Sequence, residues 1–393
     1  MNTHHTYNPG PSLVHSSLDR PVRTFTARMD FRFKAIAGAA LGLAMLAISA
    51  TESFAQGCIA IRNNPGTPLM EGNFSNGIAK GQWVGAVAYR WFKSDRHFTG
   101  DTEHPERHTL GNYVENDVHS VDVAATYGVN ERWSVTLDFP FIYGDRSSLY
   151  EHDLVNRHSM HSEGLGDIRV LSDYWLIDPE KHTKGNIALG IGLKLPTGDD
   201  AASDLSYRAT GPVERPVDPS MQPGDGGWGI IVQMQAYRKL TDRLFATFSA
   251  SYMFTPEEQS DTEFTIADVP AFAAFITKEI RHNTIADQYS ARAGLSYLVL
   301  PSKGLNLSLG ARLEGLPAED IIGGDMGFRR PGYTVSLEPG VSWSSAKNTV
   351  SLNVPIAIYR NRVRSAPEKF LGRPGGDSAF ADYSILLSYT HAF

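Results

Sequence analysis

From residue 81 to the end of the chain, apolar and polar positions alternate with period two in runs of about ten residues, the spacing of a strand whose two faces meet different surroundings. Residues 133–143 put Trp133, Val135, Leu137, Phe139, Phe141 and Tyr143 on one side and Ser134, Thr136 and Asp138 on the other. Residues 305–314 set Leu305, Leu307, Leu309, Ala311 and Leu313 against Asn306, Ser308, Arg312 and Glu314. The last run carries Tyr383, Ile385, Leu387, Tyr389, His391 and Phe393 on one face, and Ser384, Leu386, Ser388, Thr390 and Ala392 on the other. Cutting wherever the alternation breaks predicts twelve strands: 81–92, 118–128, 133–143, 167–177, 186–195, 228–238, 244–254, 287–299, 305–314, 332–343, 349–359 and 381–393.

A soluble sandwich would alternate in the same way, so the connections decide. They run 93–117, 129–132, 144–166, 178–185, 196–227, 239–243, 255–286, 300–304, 315–331, 344–348 and 360–380, long and short in turn without exception. A sandwich has no reason to keep every long loop at one end. A bacterial transmembrane barrel does, and its strand number is even. The expected fold is therefore all-β: a twelve-stranded antiparallel transmembrane outer-membrane β-barrel over 81–393, with short periplasmic turns and long extracellular loops. Its polar faces must look into a wet or internally paired interior, because lipid leaves charges unsatisfied. Aromatics near the strand ends, among them Trp83, Trp91, Trp133, Tyr143, Tyr252, Tyr289, Tyr297, Tyr333, Trp343, Tyr383 and Tyr389, fit interfacial girdles. Phe393 closes the last strand, and a terminal aromatic on such a face resembles the signal read by the bacterial outer-membrane assembly machinery.

The N-terminal region agrees with export. Residues 29–55 carry Arg32 and Lys34, an apolar run from Ala35 to Ala50, and then Ser53, Phe54 and Ala55, the order of a secretory signal peptide cleaved after Ala55. The polar stretch 1–28 with Pro9, Pro11 and Pro21 reads as an upstream extension that is not translated, Met29 being the start; an unusually long n-region is the alternative. Residues 56–80 form a short periplasmic segment. Cys58 lies just past the cleavage site, but Ala55, Gln56 and Gly57 before it match a lipoprotein signal only at the last place, and as the single cysteine it forms no internal disulfide. The net charge of −7 lacks the basic footprint of nucleic-acid binding, so no nucleic acid is expected. Beyond the N-terminal region no run of about eighteen apolar residues occurs, so the mature chain has no helical span.

Two stretches carry a family likeness. "GLGDIRVLSDYWL" at 164–176 and "ALGIGLKLPTGDD" at 188–200 resemble the outer-membrane channels or transporters of the phenol-degradation (MetA-pathway) type. In physical terms Gly164 and Gly166 let a loop fold back into a strand, and Pro196 with Gly198 ends the next one. The resemblance implies passage of small organic molecules, aromatic or apolar in character.

The inward set comprises Arg90, Asp122, Asp138, Asp167, Arg169, Asp173, Lys194, Arg292, Arg312, Glu314 and Glu338. Their signs nearly balance, which argues against a strongly ion-selective pore; mutual pairing across the interior is the plainer reading. Small inward residues such as Ala86, Ala88, Ala124, Ala188, Gly190, Gly192, Ser249 and Ser251 leave room for a narrow passage. Pro140, Pro339 and Pro355 each remove a ladder donor, and kinks in the wall there would open a lateral exit for apolar solutes or merely bend it.

His97, His104, His108, His152, His158 and His161 fall in the first two long loops, without tight metal spacing, so a solvated loop is favoured over a metal site, and no cofactor is expected. The loops 93–117, 196–227 and 255–286 carry more acid than base, a balance suited to divalent-cation bridges to lipopolysaccharide. A barrel hydrolase would need a serine and a histidine held together with an orienting third group; His158 beside Ser159 is adjacency only. A surface receptor or adhesin is the other alternative to a channel. Finally, "ADVPAFAAFITKEI" at 267–280 is an apolar run inside an outer loop. Asp268 as cap, Pro270 in the first turn, and Phe272, Phe275 and Ile276 on one face predict a short helix that folds over or into the barrel mouth as a constriction.

Overall fold

The computed structural model describes residues 78–393; the expected leader, the stretch ahead of it, Cys58 and nearly all of 56–80 lie outside the described residues. The strands are β1 (Trp83–Thr99), β2 (Glu115–Gly128), β3 (Trp133–Ser148), β4 in two segments (His158–Leu165 and Arg169–Trp175), β5 (Gly185–Lys194) and β6 (Gly229–Lys239). They continue as β7 (Leu244–Phe254), β8 (Gln288–Leu300), β9 (Leu305–Leu316), β10 (Gly332–Ser344), β11 in two segments (Asn348–Asn353 and Ile356–Arg362) and β12 (Ser378–Ala392). Each pairs antiparallel with the next, and β12 closes on β1, with Ala392 opposite Val84 and Ser378 opposite Phe98. The result is a closed twelve-stranded barrel. Closure leaves no edge, the condition for a sheet to sit in lipid.

The alternation in sequence becomes inside and outside. Val87, Leu137, Phe141, Ile191, Leu309, Leu337, Ile358 and Leu387 stand exposed on the outer wall, while Ala86, Asp138, Arg312, Glu338 and Leu386 are buried. An apolar belt left in water would cost about 25 cal/mol for each Å², so hydrocarbon is its solvent. Rings border the belt: Trp83 lies 4.9 Å from Tyr127 near the periplasmic turns, and Tyr252 stacks on Tyr289 near the outer loops. The periplasmic turns are tight. Gly304, between β8 and β9, has φ +65°, and a Cβ there would stand 1.9 Å from the Ser344 carbonyl oxygen.

Several strands run further outward than the alternation foretold. β1 reaches Thr99, β2 begins at Glu115, β3 reaches Ser148 and β12 begins at Ser378. Above the lipid a strand keeps its backbone ladder but has no hydrocarbon to match, so the apolar period fades while pairing goes on. His158 and His161, expected in a loop, lie on the outward extension of β4 for the same reason. Two long loops fold hairpins of their own, Ser203–Arg208 on Gly211–Pro216 and Gln259–Glu263 on His282–Thr284.

β4 and β11 are each interrupted opposite a proline. Gly166 breaks β4, and its N–H donates to the Pro140 carbonyl on β3 at 2.7 Å. Val354 and Pro355 break β11, and the Val354 N–H donates to the Pro339 carbonyl at 3.0 Å. Each kink thus keeps its backbone groups satisfied where lipid offers no substitute.

Candidate transport path

The inward charges meet in a lattice across the middle of the barrel. Arg90 on β1 pairs with Glu314 on β9 at 3.0 Å, joining strands that are far apart in the sheet. Arg312 bridges Glu314, at 3.3 Å, to Glu338, and Arg292 reaches Glu338 at 2.7 Å and the Asn353 amide oxygen at 3.2 Å. Beside this group, Arg169 holds both Asp122 and Asp138, at 2.6 and 2.5 Å. Four guanidiniums, Arg90, Arg169, Arg292 and Arg312, therefore face four carboxylates, Asp122, Asp138, Glu314 and Glu338, and the band is electrically neutral. Glu338 is wholly buried. Buried ions persist only when paired and hydrogen-bonded, and here each finds at least one partner.

The small inward Gly190 does not leave an empty bore, whereas Ser249 borders a cavity with Ser296, Ser308 and Ser351. Gly190 lies in one row between Asp173 on β4 and Gln233 on β6. Gln233 Nε2 donates to Asp173 at 2.8 Å over its bare backbone, and a Cβ on Gly190 would stand 2.3 Å from the Asp173 oxygen. Glycine is required there so that neighbours can close above it.

Lys194 ends β5 and pairs with Asp167, at 3.3 Å, and with Asp225. Asp167 sits in the break of β4 and also accepts from the Gly198 and Asp225 N–H groups at 3.0 and 3.2 Å. The first sequence motif therefore supplies the pin that ties the β4 kink to the loop after β5. Gly198 faces Gly224 so closely that a Cβ would meet its backbone at 2.7 Å.

The segment 267–280 is not the helix that its pattern predicted. Only a 3-10 turn, Pro270–Phe272, forms, and Val269 rather than Asp268 stands at its N-cap. Asp268 is drawn instead to Arg208 and Arg215, at 3.1 and 3.5 Å, and a carboxylate held by two guanidiniums is not free to cap. Phe272 and Ile276 still act together, joined by one backbone bond of 2.9 Å, and pack on Phe264, Ile266, Val269 and Phe328. Phe275 turns away beneath Arg373, whose guanidinium lies 4.8 Å from the ring and donates to the Phe275 and Ala274 carbonyls. The segment thus touches loops after β3 (Tyr150), β5 (Arg208), β9 (Phe328) and β11 (Arg373), and so spans the outer mouth.

Below that cover, Arg330 forks onto Asp218 and Arg329 onto Asp320 at 2.7 and 2.9 Å. Burial alone would raise the Asp218 carboxyl, but Arg146 and Arg330 outweigh it and hold it below the usual carboxylate range. Burial lifts Asp320 to about 6, with Arg329 opposing. Both acids are ionised at neutral pH and cancel their arginines.

The wall itself has a weak seam. The outer segment of β11 pairs with β10 from Gly332 opposite Arg362 to Leu337 opposite Ile356, but with β12 only at Ile356 opposite Tyr383. β12 from Ser378 to Ala381 pairs with β1 instead, through two register shifts. Gly100 and Arg362 exchange backbone bonds of 2.7 Å above the gap. Side chains span the window: Arg360 donates to the Ala381 carbonyl at 3.1 Å and to Asp382 at 2.7 Å, Arg362 donates to the Ser378 hydroxyl at 3.2 Å, and Arg96 reaches the Asp382 carboxylate at 2.5 Å. The window lies on the outer side of the lattice, since Arg90 is opposite Leu386, deeper along β12.

The loop histidines divide among other tasks. His97 accepts from the Val114 N–H and pairs with Asp377, while His158 stacks on Tyr207 at 4.5 Å. Ser159 donates to Asp145 at 3.2 Å, and His161 meets the other oxygen of that carboxylate at 2.7 Å. The acid stands between serine and histidine, so the base does not reach the hydroxyl and the order of a hydrolase triad is absent from this set. Among the described residues no group of three or more potential ligands could hold a metal ion.

A closed antiparallel barrel with an apolar belt outside and paired charges inside is an integral outer-membrane protein. The sequence matches no family model. Among solved structures the chain is similar to an outer membrane channel from Pseudomonas putida F1, at 16% identity and a TM-score of 0.50, over 84% of this chain and 100% of that one. It is also similar to CymD, a monoaromatic hydrocarbon channel (12% identity, 86% of this chain and 98% of that one, TM-score 0.37), and to the P. putida toluene transporter TodX (9%, 80% and 90%, 0.39). At these identities the likeness is one of fold.

Proposed function

We propose that this barrel passes small apolar organic molecules across the outer membrane, entering at the covered mouth and leaving sideways between β11 and β12. The observation that carries the reading is the position of the window on the mouth side of a neutral, side-chain-filled lattice. A polar solute entering from outside meets that lattice as a floor. An apolar one meets Phe272, Ile276 and Phe328 first, and then the interrupted β11–β12 pairing at the outer edge of the apolar belt, beside the exposed Ile356 and Ile358. The phenol-degradation resemblance of residues 164–200 agrees with such a cargo, as do the aromatic hydrocarbons named for CymD and TodX.

Intact cells expressing or lacking the protein test the reading, because the lipopolysaccharide leaflet hinders apolar solutes. Labelled toluene should enter faster with the protein present, whereas a monosaccharide should not. Arg360→Leu removes one of the two arginines that bar the window and leaves Asp382 with Arg96; toluene entry should rise while planar-bilayer conductance changes little. Unaltered toluene entry in that variant would rule out the lateral route.

Assembly belongs to the same proposal. Phe393 is exposed at the seam, its N–H donating to the Trp83 carbonyl at 2.9 Å and its ring set edge-on to His391. It touches nothing in the lattice. Deleting Phe393 should therefore reduce the amount of barrel in the outer membrane severely and leave transport per assembled molecule unchanged. Wild-type levels of the truncated protein in outer-membrane fractions would dismiss the signal role.

A further inference from the structure

Between the mouth cover and the lattice lies a cavity walled by the loops after β5, β7 and β9 and by the outer ends of β8 and β9. Its apolar side is Leu316 and Ala286, both buried, and the partly buried Phe328, stacked on Phe264. Its polar side is unusual in kind. The side-chain oxygens of Gln222, Asn283 and Gln288 are buried in this lining and have no hydrogen-bond partner, although the three residues are only 2, 4 and 6% exposed. For Gln222 the orientation is fixed. Its Nε2 donates to the Ala202 and Val217 carbonyls, each at 3.0 Å, so its oxygen must be the atom left over.

Most charges in the same lining are paired, Asp200 being held by a hydroxyl instead of a cation. Arg330 and Arg329 are forked onto Asp218 and Asp320, Lys194 is bound to Asp225, and Asp200 accepts from the Thr262 hydroxyl at 3.1 Å. An anion would meet arginines that already hold carboxylates, the Asp200 carboxylate itself, and at Gln222 an oxygen turned against it. A plain hydrocarbon would leave the three side-chain oxygens without donors, at a cost of roughly 1–3 kcal/mol for each one dehydrated. What suits a cavity of about 40 Å³ is a hydrogen-bond-donating head whose apolar body lies at the opening beside Phe328.

Resting on the channel reading above, we infer that this cavity is a selectivity site for hydroxyl-bearing apolar solutes, with the Gln222, Asn283 and Gln288 oxygens accepting from the hydroxyl while Phe328 holds the body at the opening. Gln288 faces inward one step above Ser290, which is opposite Glu314, so a solute seated here rests directly on the lattice and on the mouth side of the β11–β12 window.

Benzyl alcohol, benzyl methyl ether and benzoate share one body and differ in the head. Dissociation constants by saturation-transfer NMR on the full refolded protein in micelles should favour the alcohol over the ether by about tenfold or more, with benzoate weakest. Gln288→Leu, whose side chain makes no hydrogen bond that the fold needs, should erase the preference without lowering the unfolding temperature; Asn283→Leu is the second variant, in case the first fails to fold. Equal binding of alcohol and ether to the wild type, or a preference that survives both variants, overturns the inference. Entry of the two labelled probes into cells separates the two levels of the argument. Equal protein-dependent entry of alcohol and ether sinks the hydroxyl site and leaves the channel standing, whereas no protein-dependent entry of either, toluene included, sinks the channel reading as well.

Discussion

The double variant Arg90→Ala/Glu314→Ala should conduct ions several times better than the wild type in a planar bilayer. These two side chains meet from opposite parts of the wall, β1 and β9, and form the central span of the lattice. Removing both leaves no new unpaired charge, because Arg312 keeps Glu338 and Arg169 keeps Asp122 and Asp138. Paired removal is tolerated far better than loss of one partner. The barrel should therefore still assemble, now with a hole where the span was. If conductance stays at the wild-type level in correctly folded protein, the narrowest part of the lumen lies elsewhere, and the argument for sideways exit loses its floor.

Glu338→Leu should do the reverse, destabilising the fold without opening it. Glu338 is fully buried and holds both Arg292 and Arg312, so its loss leaves Arg312 to share Glu314 with Arg90 and deprives Arg292 of this carboxylate, an excess of one buried positive charge. Breaking a buried pair from one side typically costs about 3–5 kcal/mol. The expected readout is a lower urea midpoint in micelles and a lower temperature for loss of the compact electrophoretic form. Adding Arg312→Met to the same chain removes that excess charge and should restore part of the loss, a non-additive result that separates ionic pairing from simple packing damage. An unchanged midpoint for the single variant would mean that water, rather than protein, satisfies the lattice.

The two predictions differ because the same residues serve in two ways. Charges that cancel in pairs hold the barrel shut and hold it together. The window between β11 and β12 escapes this, since the side chains of Arg360 and Arg362 and not a backbone ladder close it.

Much of this was legible in the chain. Period-two alternation is a local property, set by the tetrahedral geometry of each residue, and loop length needs no tertiary information at all. Together they determined the all-β class and the twelve strands. The apolar segment 267–280 was recognisable as an apolar run inside an outer loop, but the helix its pattern predicts does not form, because Asp268 answers to Arg208 and Arg215 in another loop. Propensity sees only neighbours in sequence, and the competing guanidiniums are distant there. The prolines announced kinks at β3, β10 and β11, yet not that β12 would leave β11 and follow β1. That choice, like the meeting of Arg90 with Glu314 and the gathering of Gln222, Asn283 and Gln288 around one cavity, depends on strand register and on closure of the ring. Both are set by all the strands at once, which is why only the tertiary structure decided them.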